Sequence, residues 1–252
     1  MKIAVSGKGG VGKTTVSANL AKLLTSKGYK VYAVDADPDS SLGLALGIDE
    51  EALNNIKPIV EMRDFIGKIV GDGAFYTLNP AVNEVLDEFS IDIGGIKFLR
   101  MGGVKQGGSD CYCRENTFLK IIVNALLLDT KEVVILDMGA GIEHLTRGTS
   151  KGVDLMLVVT EAGRSSVQTA RIVEKLARDL QVKDVKFIAN KIRTEKEEAF
   201  INEHFSKDEL LGVIHYDEII SEKAMGINNE GGFIDNKEID EILTQVIKTI
   251  NK

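Results

Sequence analysis

Gly7-Lys8-Gly9-Gly10-Val11-Gly12-Lys13-Thr14-Thr15 decides how this chain reads. Residues 3–5 before it are apolar and strand-like, and residues 13–27 after it carry a helical pattern. Closely spaced glycines let the backbone curl with its N–H groups pointing inward, and a helix beginning near Lys13 adds the positive end of its dipole. Anionic phosphate is the natural occupant. Lys13 reaches the β- and γ-phosphates as a point charge, while the Thr14 hydroxyl completes the shell of a Mg²⁺ ion that also holds phosphate oxygens. The expected nucleotide-binding residues are therefore Gly9, Gly10, Val11, Gly12, Lys13, Thr14 and Thr15. Lys8 stands at the start of the loop, where a long cation cannot easily fold back onto its own phosphates, and so points toward another molecule's.

This form of the loop resembles the deviant Walker A loop of the MinD, ParA and nitrogenase iron protein superfamily. The resemblance implies an ATPase in which Lys8 crosses a homodimer interface to the partner subunit's nucleotide and acts with Lys13 in catalysis. The expected cofactors are ATP or ADP with Mg²⁺.

Working outward from the loop, apolar runs at residues 31–34, 133–136, 155–159, 185–188 and 212–214 alternate with helical patterns such as residues 165–180. Continuous apolar strands suit a sheet buried on both faces. The chain is thus expected to fold as α/β, a single doubly wound, mostly parallel sheet flanked by helices, with ligands at the strands' carboxyl ends. Its 252 residues with only three prolines mark no linker, so residues 1–252 read as one domain. Residues 43–95 show helical stretches at 63–70 and 83–89 without a strong strand signal, and read as a helical insertion flanking the site. Residues 237–250 read as an amphipathic helix docked on the core, because acidic residues dilute the basic face that a membrane would select.

A net charge of −7 argues against general affinity for nucleic acid or anionic lipid. No apolar run is long enough to span a bilayer, and the strand that the phosphate loop needs begins directly after Met1, so the expected location is cytoplasmic.

Two strand ends carry carboxylates. The first, Asp35-Ala36-Asp37-Pro38-Asp39, follows the strand that should neighbour the loop. By the family resemblance, Asp37 falls where an aspartate orients the attacking water and Asp35 where a carboxylate supports the metal. The second, Asp137 before Met138-Gly139-Ala140-Gly141, resembles a Walker B aspartate with a glycine-rich switch, holding Mg²⁺ through water. Asn190 matches the family's base-reading position and implies adenine, because guanine readers usually carry a carboxylate where this chain has Arg193. His215 stands where many relatives carry proline beside the base.

Both cysteines lie in Asp110-Cys111-Tyr112-Cys113-Arg114. A Cys-x-Cys pair chelates a soft or borderline metal but leaves the site half empty, and a twofold dimer would bring a second pair. Arg114 favours the thiolates. The other readings of the pair are small buried hydrophobes or a metal-free redox couple. A nitrogenase-type cluster would want a further cysteine near residues 138–141, and there is none. The loop, the Cys-x-Cys pair and the Asp137-Met138-Gly139-Ala140-Gly141-Ile142-Glu143 run together look most similar to the CooC family of accessory ATPases, which serve nickel insertion into carbon monoxide dehydrogenase. That similarity implies Ni²⁺, with Zn²⁺ as a substitute, held by Cys111 and Cys113 of both subunits, and carbon monoxide dehydrogenase as client. The alternatives are an iron–sulfur carrier or electron-donating ATPase, and a ParA- or MinD-like positioning switch.

Overall fold

The computed structural model describes residues 1–37, 41–56, 58, 90–101, 131–139, 153–224 and 236–250. Eight strands form one sheet: β1 (Lys2–Gly7), β2 (Lys30–Ala36), β3 (Ile91–Ile93), β4 (Ile96–Arg100), β5 (Glu132–Met138), β6 (Leu155–Thr160), β7 (Asp184–Ile192) and β8 (Leu210–His215). Their spatial order is β3-β4-β2-β5-β1-β6-β7-β8. All neighbours run parallel except β3 and β4, which form an antiparallel pair. The helices among the described residues are α1 (Lys13–Ser26), α2 (Leu42–Leu46), α3 (Glu50–Asn55), α4 (Arg164–Asp179), α5 (Glu195–His204), α6 (Glu218–Ala224) and α7 (Lys237–Ile250).

Alternate strand residues feed two apolar layers, as a sheet covered on both faces requires. Ile3, Val5, Val31, Ala33, Ile135 and Leu157 pack with Leu20 and Leu24 of α1 and with Leu243 and Val246 of α7. On the other face, Ala4, Tyr32, Val34, Leu136, Met156 and Val158 pack with Val167, Ala170 and Val173 of α4 and with Ile201 of α5. The apolar periodicity of residues 237–250 is thus spent on the core, with Ile239, Ile242, Leu243, Val246 and Ile247 all buried.

The site is positioned by strand order. β1 sends the chain through α1 to β2 on one side, whereas β5, lodged between β1 and β2, sends it to β6 on the other. The crevice at the carboxyl ends of β1 and β5 lies at that reversal, the place where such sheets take ligands.

Two elements differ from the sequence reading. β7 is longer than residues 185–188: an irregularity between Ala189 and Ile192 carries Asn190 and Lys191 within the strand's end rather than in a following loop. The end of the 43–95 segment is also not helical. Ile91–Ile93 and Ile96–Arg100 form a hairpin joined by Gly94 and Gly95, both with positive φ, which adds β4 to β2 and β3 outside it. The helical stretches expected at residues 63–70 and 83–89 lie outside the described residues, as do Cys111 and Cys113.

Candidate nucleotide site

The loop between β1 and α1 takes its shape from glycines where no other residue fits. Gly7 and Gly12 have φ of 148° and 95°; a Cβ on Gly7 would meet the Val159 carbonyl oxygen, and one on Gly12 the Asn190 side-chain amide. Gly12 caps α1 without a side chain, leaving the first N–H groups of the helix free for an anion. Val11 is a core residue, 1% exposed, so only its backbone belongs to the loop.

The loop floors a cavity of about 710 Å³, within the range of small-molecule sites. One end is lined by Gly10, Gly12, Lys13, Thr14, Asp37 and Gly139, and the other by Asn190, Arg193, His215, Tyr216 and Asp217. Gly9 and Thr15 also line it, whereas Lys8 does not and is exposed.

At the first end, Lys13 is 7% exposed, and its Nζ lies 3.4 Å from the Lys8 carbonyl oxygen and 3.9 Å from Asp37 Oδ2. Thr14 Oγ1 donates to Asp137 Oδ2 at 2.8 Å and lies 3.0 Å from Ser41 Oγ. Ser17 Oγ donates to Asp137 Oδ1 at 2.9 Å. Asp137 is fully buried. Burial pushes its carboxyl up to about 6, and the nearby Asp37 charge adds to this, while the Thr14 and Ser17 hydroxyls and the Lys13 ammonium oppose it.

Asp35 pairs with Asp137 in the β2–β5 register and leaves the same face of the sheet, but its carboxyl meets other partners. It is 1% exposed, its Oδ2 accepts the Leu42 N–H at 3.1 Å at the start of α2, and its Oδ1 has no hydrogen-bond partner among the described residues. Rather than the phosphate end, it lines a separate cavity of about 180 Å³ with Leu44, Glu50, Leu53, Asn54 and Arg100. Burial, and next the Asp137 charge, push Asp35 up to about 7, against the N–H groups of Leu42 and Asp37.

The donors near Thr14 are hard oxygens, the kind Mg²⁺ takes. Asp137 spends both oxygens on hydroxyl donors, which suits a carboxylate acting through water. A buried carboxyl held at about 6 is also one that a nearby cation would return to its ionised form. These residues fit the metal.

Asn190 clamps the loop: its Nδ2 donates to the Val11 carbonyl at 2.8 Å and its Oδ1 accepts the Lys191 N–H at 2.9 Å. Each atom retains one further hydrogen-bonding site. Lys191, in the left-handed region at φ 59°, donates to the Gly10 carbonyl at 2.6 Å and pairs with Glu161 at 3.2 Å. The sequence reading missed Lys191, Ser41 and Ser17. Ser17 was open to detection, since it lies one helical turn after Thr14 and therefore on the same face of α1.

Comparison with known proteins agrees with this geometry. Residues 2–227 match the family model described as the CobQ/CobB/MinD/ParA nucleotide binding domain. The carbon monoxide dehydrogenase accessory protein CooC of Rhodospirillum rubrum is 43% identical over 87% of this chain and 85% of its own length. An uncharacterised ATP-binding protein of Methanocaldococcus jannaschii is 40% identical over 100% of this chain and 99% of its own. Among solved structures, the septum site-determining protein MinD of Pyrococcus horikoshii complexed with Mg-ADP superposes with a TM-score of 0.68 at 22% identity, covering 99% of this chain and 97% of that one. Loop, paired carboxylates and sheet order thus converge on one conclusion: the chain belongs to the CobQ/CobB/MinD/ParA family of nucleotide-binding domains.

Proposed function

We propose that the protein is an ATP-hydrolysing maturation factor that carries nickel to carbon monoxide dehydrogenase. In this reading ATP draws two copies together, Lys8 of each reaches the other's nucleotide, and Cys111 and Cys113 of both hold Ni²⁺ as cargo, Zn²⁺ being able to substitute. Hydrolysis reopens the interface and releases the metal. The single observation that carries the assignment is the 43% identity to the accessory protein CooC over 87% of the chain. The exposed position of Lys8, outside its own cavity, supports the reach across an interface.

The chemistry is phosphoryl transfer to water. Lys13 sits in the cavity as a nearly buried cation and would offset charge on the transferring phosphoryl. Asp37 would orient the attacking water; its carboxylate stands 3.9 Å from Lys13, and Gly139, having no side chain, leaves room beside it. Thr14, and Asp137 through water, would hold Mg²⁺, which would supply positive charge to offset that of the phosphates. Asp35, which lines the separate cavity, would support the metal through its neighbour Asp137 and through α2. Asn190 would read adenine with the capacity left beyond its hold on Val11.

The test is metal content and oligomeric mass of anaerobically purified wild type and the Cys111→Ala/Cys113→Ala double variant, with ATP or ADP, after Ni²⁺ is offered. Metal held by a dimer and lost in the double variant supports nickel delivery. Metal-free dimers of unchanged mass refute it and leave a positioning switch as the better reading. Among the described residues no helix is long and apolar enough to cross a membrane.

A further inference from the structure

The far end of the cavity is held in place by a helix that lends it no residue. Glu238, in the first turn of α7, accepts the His215 backbone N–H on Oε2 at 2.8 Å and faces the His215 ring Nδ1 with Oε1 at 2.7 Å. An ionised carboxylate has no proton to give, so Nδ1 carries the hydrogen. Ring Nε2 is 3.9 Å from Glu198 Oε2 of α5, so His215 stands between two carboxylates from two helices.

Asn236 acts alongside. Its Oδ1 accepts the N–H groups of Glu238 and Ile239, capping α7, while its Nδ2 donates to Asp217 Oδ2 at 3.2 Å. Asp217 uses its other oxygen on the Ile219 N–H at the start of α6. Tyr216 lies between these two residues, its N–H on the Ile192 carbonyl and its ring under the Arg193 guanidinium at 3.5 Å. All three residues of the turn line the cavity, and its two outer members are gripped by the N-terminal end of α7. Because Ile239, Ile242, Leu243 and Val246 seat α7 in the core, that grip comes from a fixed support.

We propose that Glu238, with Asn236, is a positioning clamp that shapes the end of the cavity taking base and ribose, so that docking of α7 and binding of the nucleoside are coupled. This rests on the nucleotide reading of the cavity. The phosphate end is lined from the β1–α1 loop, α1 and the ends of β2 and β5, with no residue of α7 among them, so the clamp's polar contacts act on the nucleoside end and not on the phosphates. Coupling is reciprocal: bound nucleoside holds α7 as firmly as α7 holds the turn.

The test uses the full chain with Mg²⁺ and two probes, ADP and inorganic triphosphate, measured by calorimetry on wild type, Glu238→Ala, Glu238→Gln and Lys13→Ala. Loss of a charge-assisted bidentate grip predicts ADP binding about tenfold weaker in Glu238→Ala, less so in Glu238→Gln, with triphosphate binding unchanged in both. ADP, but not triphosphate, also slows hydrogen exchange in α7 of the wild type. Equal losses on the two probes, or none on either, overturn the clamp while leaving nucleotide binding intact. Wild type binding ADP no better than Lys13→Ala overturns the nucleotide reading and the clamp with it. Should Glu238→Ala fail to fold, Glu238→Gln and the wild-type exchange pattern decide the matter.

Discussion

Asp35 is the place to test whether burial controls the charge of this site. Its carboxyl is held at about 7 against an ordinary 3.8, so between those values the folded chain keeps a proton that the unfolded chain has released. Bound protons then favour the folded state, and stability falls as pH rises through that window. Carrying one group with these two values from about pH 5 to about pH 8 gives a loss of roughly 2.5 kcal/mol. Asn at this position keeps an acceptor for the Leu42 N–H and cannot ionise, so Asp35→Asn should lose that much less stability over the same range. Asp137, displaced in the same direction, contributes to both proteins and largely cancels in the difference. Urea unfolding of nucleotide-free wild type and Asp35→Asn, in chelator at several pH values, measures it. Parallel stability curves, or a wild type that gains on the variant as pH rises, would show that the buried carboxyl ionises normally and refute the reasoning.

Gly12→Ala places a methyl group against the Asn190 amide at φ 95°; about 1–3 kcal/mol of stability should be lost, together with most ADP affinity, as thermal unfolding with and without ADP will register. Ser17→Ala removes one of two hydroxyl donors to a fully buried carboxylate, at a cost of about 1–3 kcal/mol, and should raise the Mg²⁺ concentration needed for half-maximal ATP turnover. Asp37→Ala should bind ATP nearly as well as wild type but hydrolyse it poorly; normal phosphate release by the variant removes Asp37 from the water-orienting role.

What the sequence made legible follows from how local each signal is. The phosphate loop is contiguous, and its glycine, lysine and hydroxyl positions are bound to one strand–loop–helix unit, so Gly9 to Thr15 could be named outright. The buried strands announced themselves as apolar runs. The β3–β4 hairpin carried a signal too, the Gly94-Gly95 pair between short apolar segments, but three- and five-residue strands are weak beside the charged residues around them. The sheet face of Asp35 follows from alternation with Val31 and Ala33, but its partners were not readable, because only the approach of Leu42 and of α3 decides what the carboxyl meets. The Glu238–His215 contact joins residues 23 apart across a helix whose apolar face explained the whole segment on its own. Nothing in that stretch marked one acidic residue from the next.

The strand that carries the phosphate loop is also the middle of the sheet. β1 pairs with β5 and β6, so its two neighbours are supplied by residues 132–138 and 155–160, and the clamp on its loop by Asn190 and Lys191. The phosphate loop therefore has no walls until strands far along the chain stand beside it. Closing such distant pairings is slow and costly in loop entropy. A fragment holding the loop and its first helix alone thus lacks the pocket: lining residues drawn from the ends of five strands must come together before a nucleotide has a site.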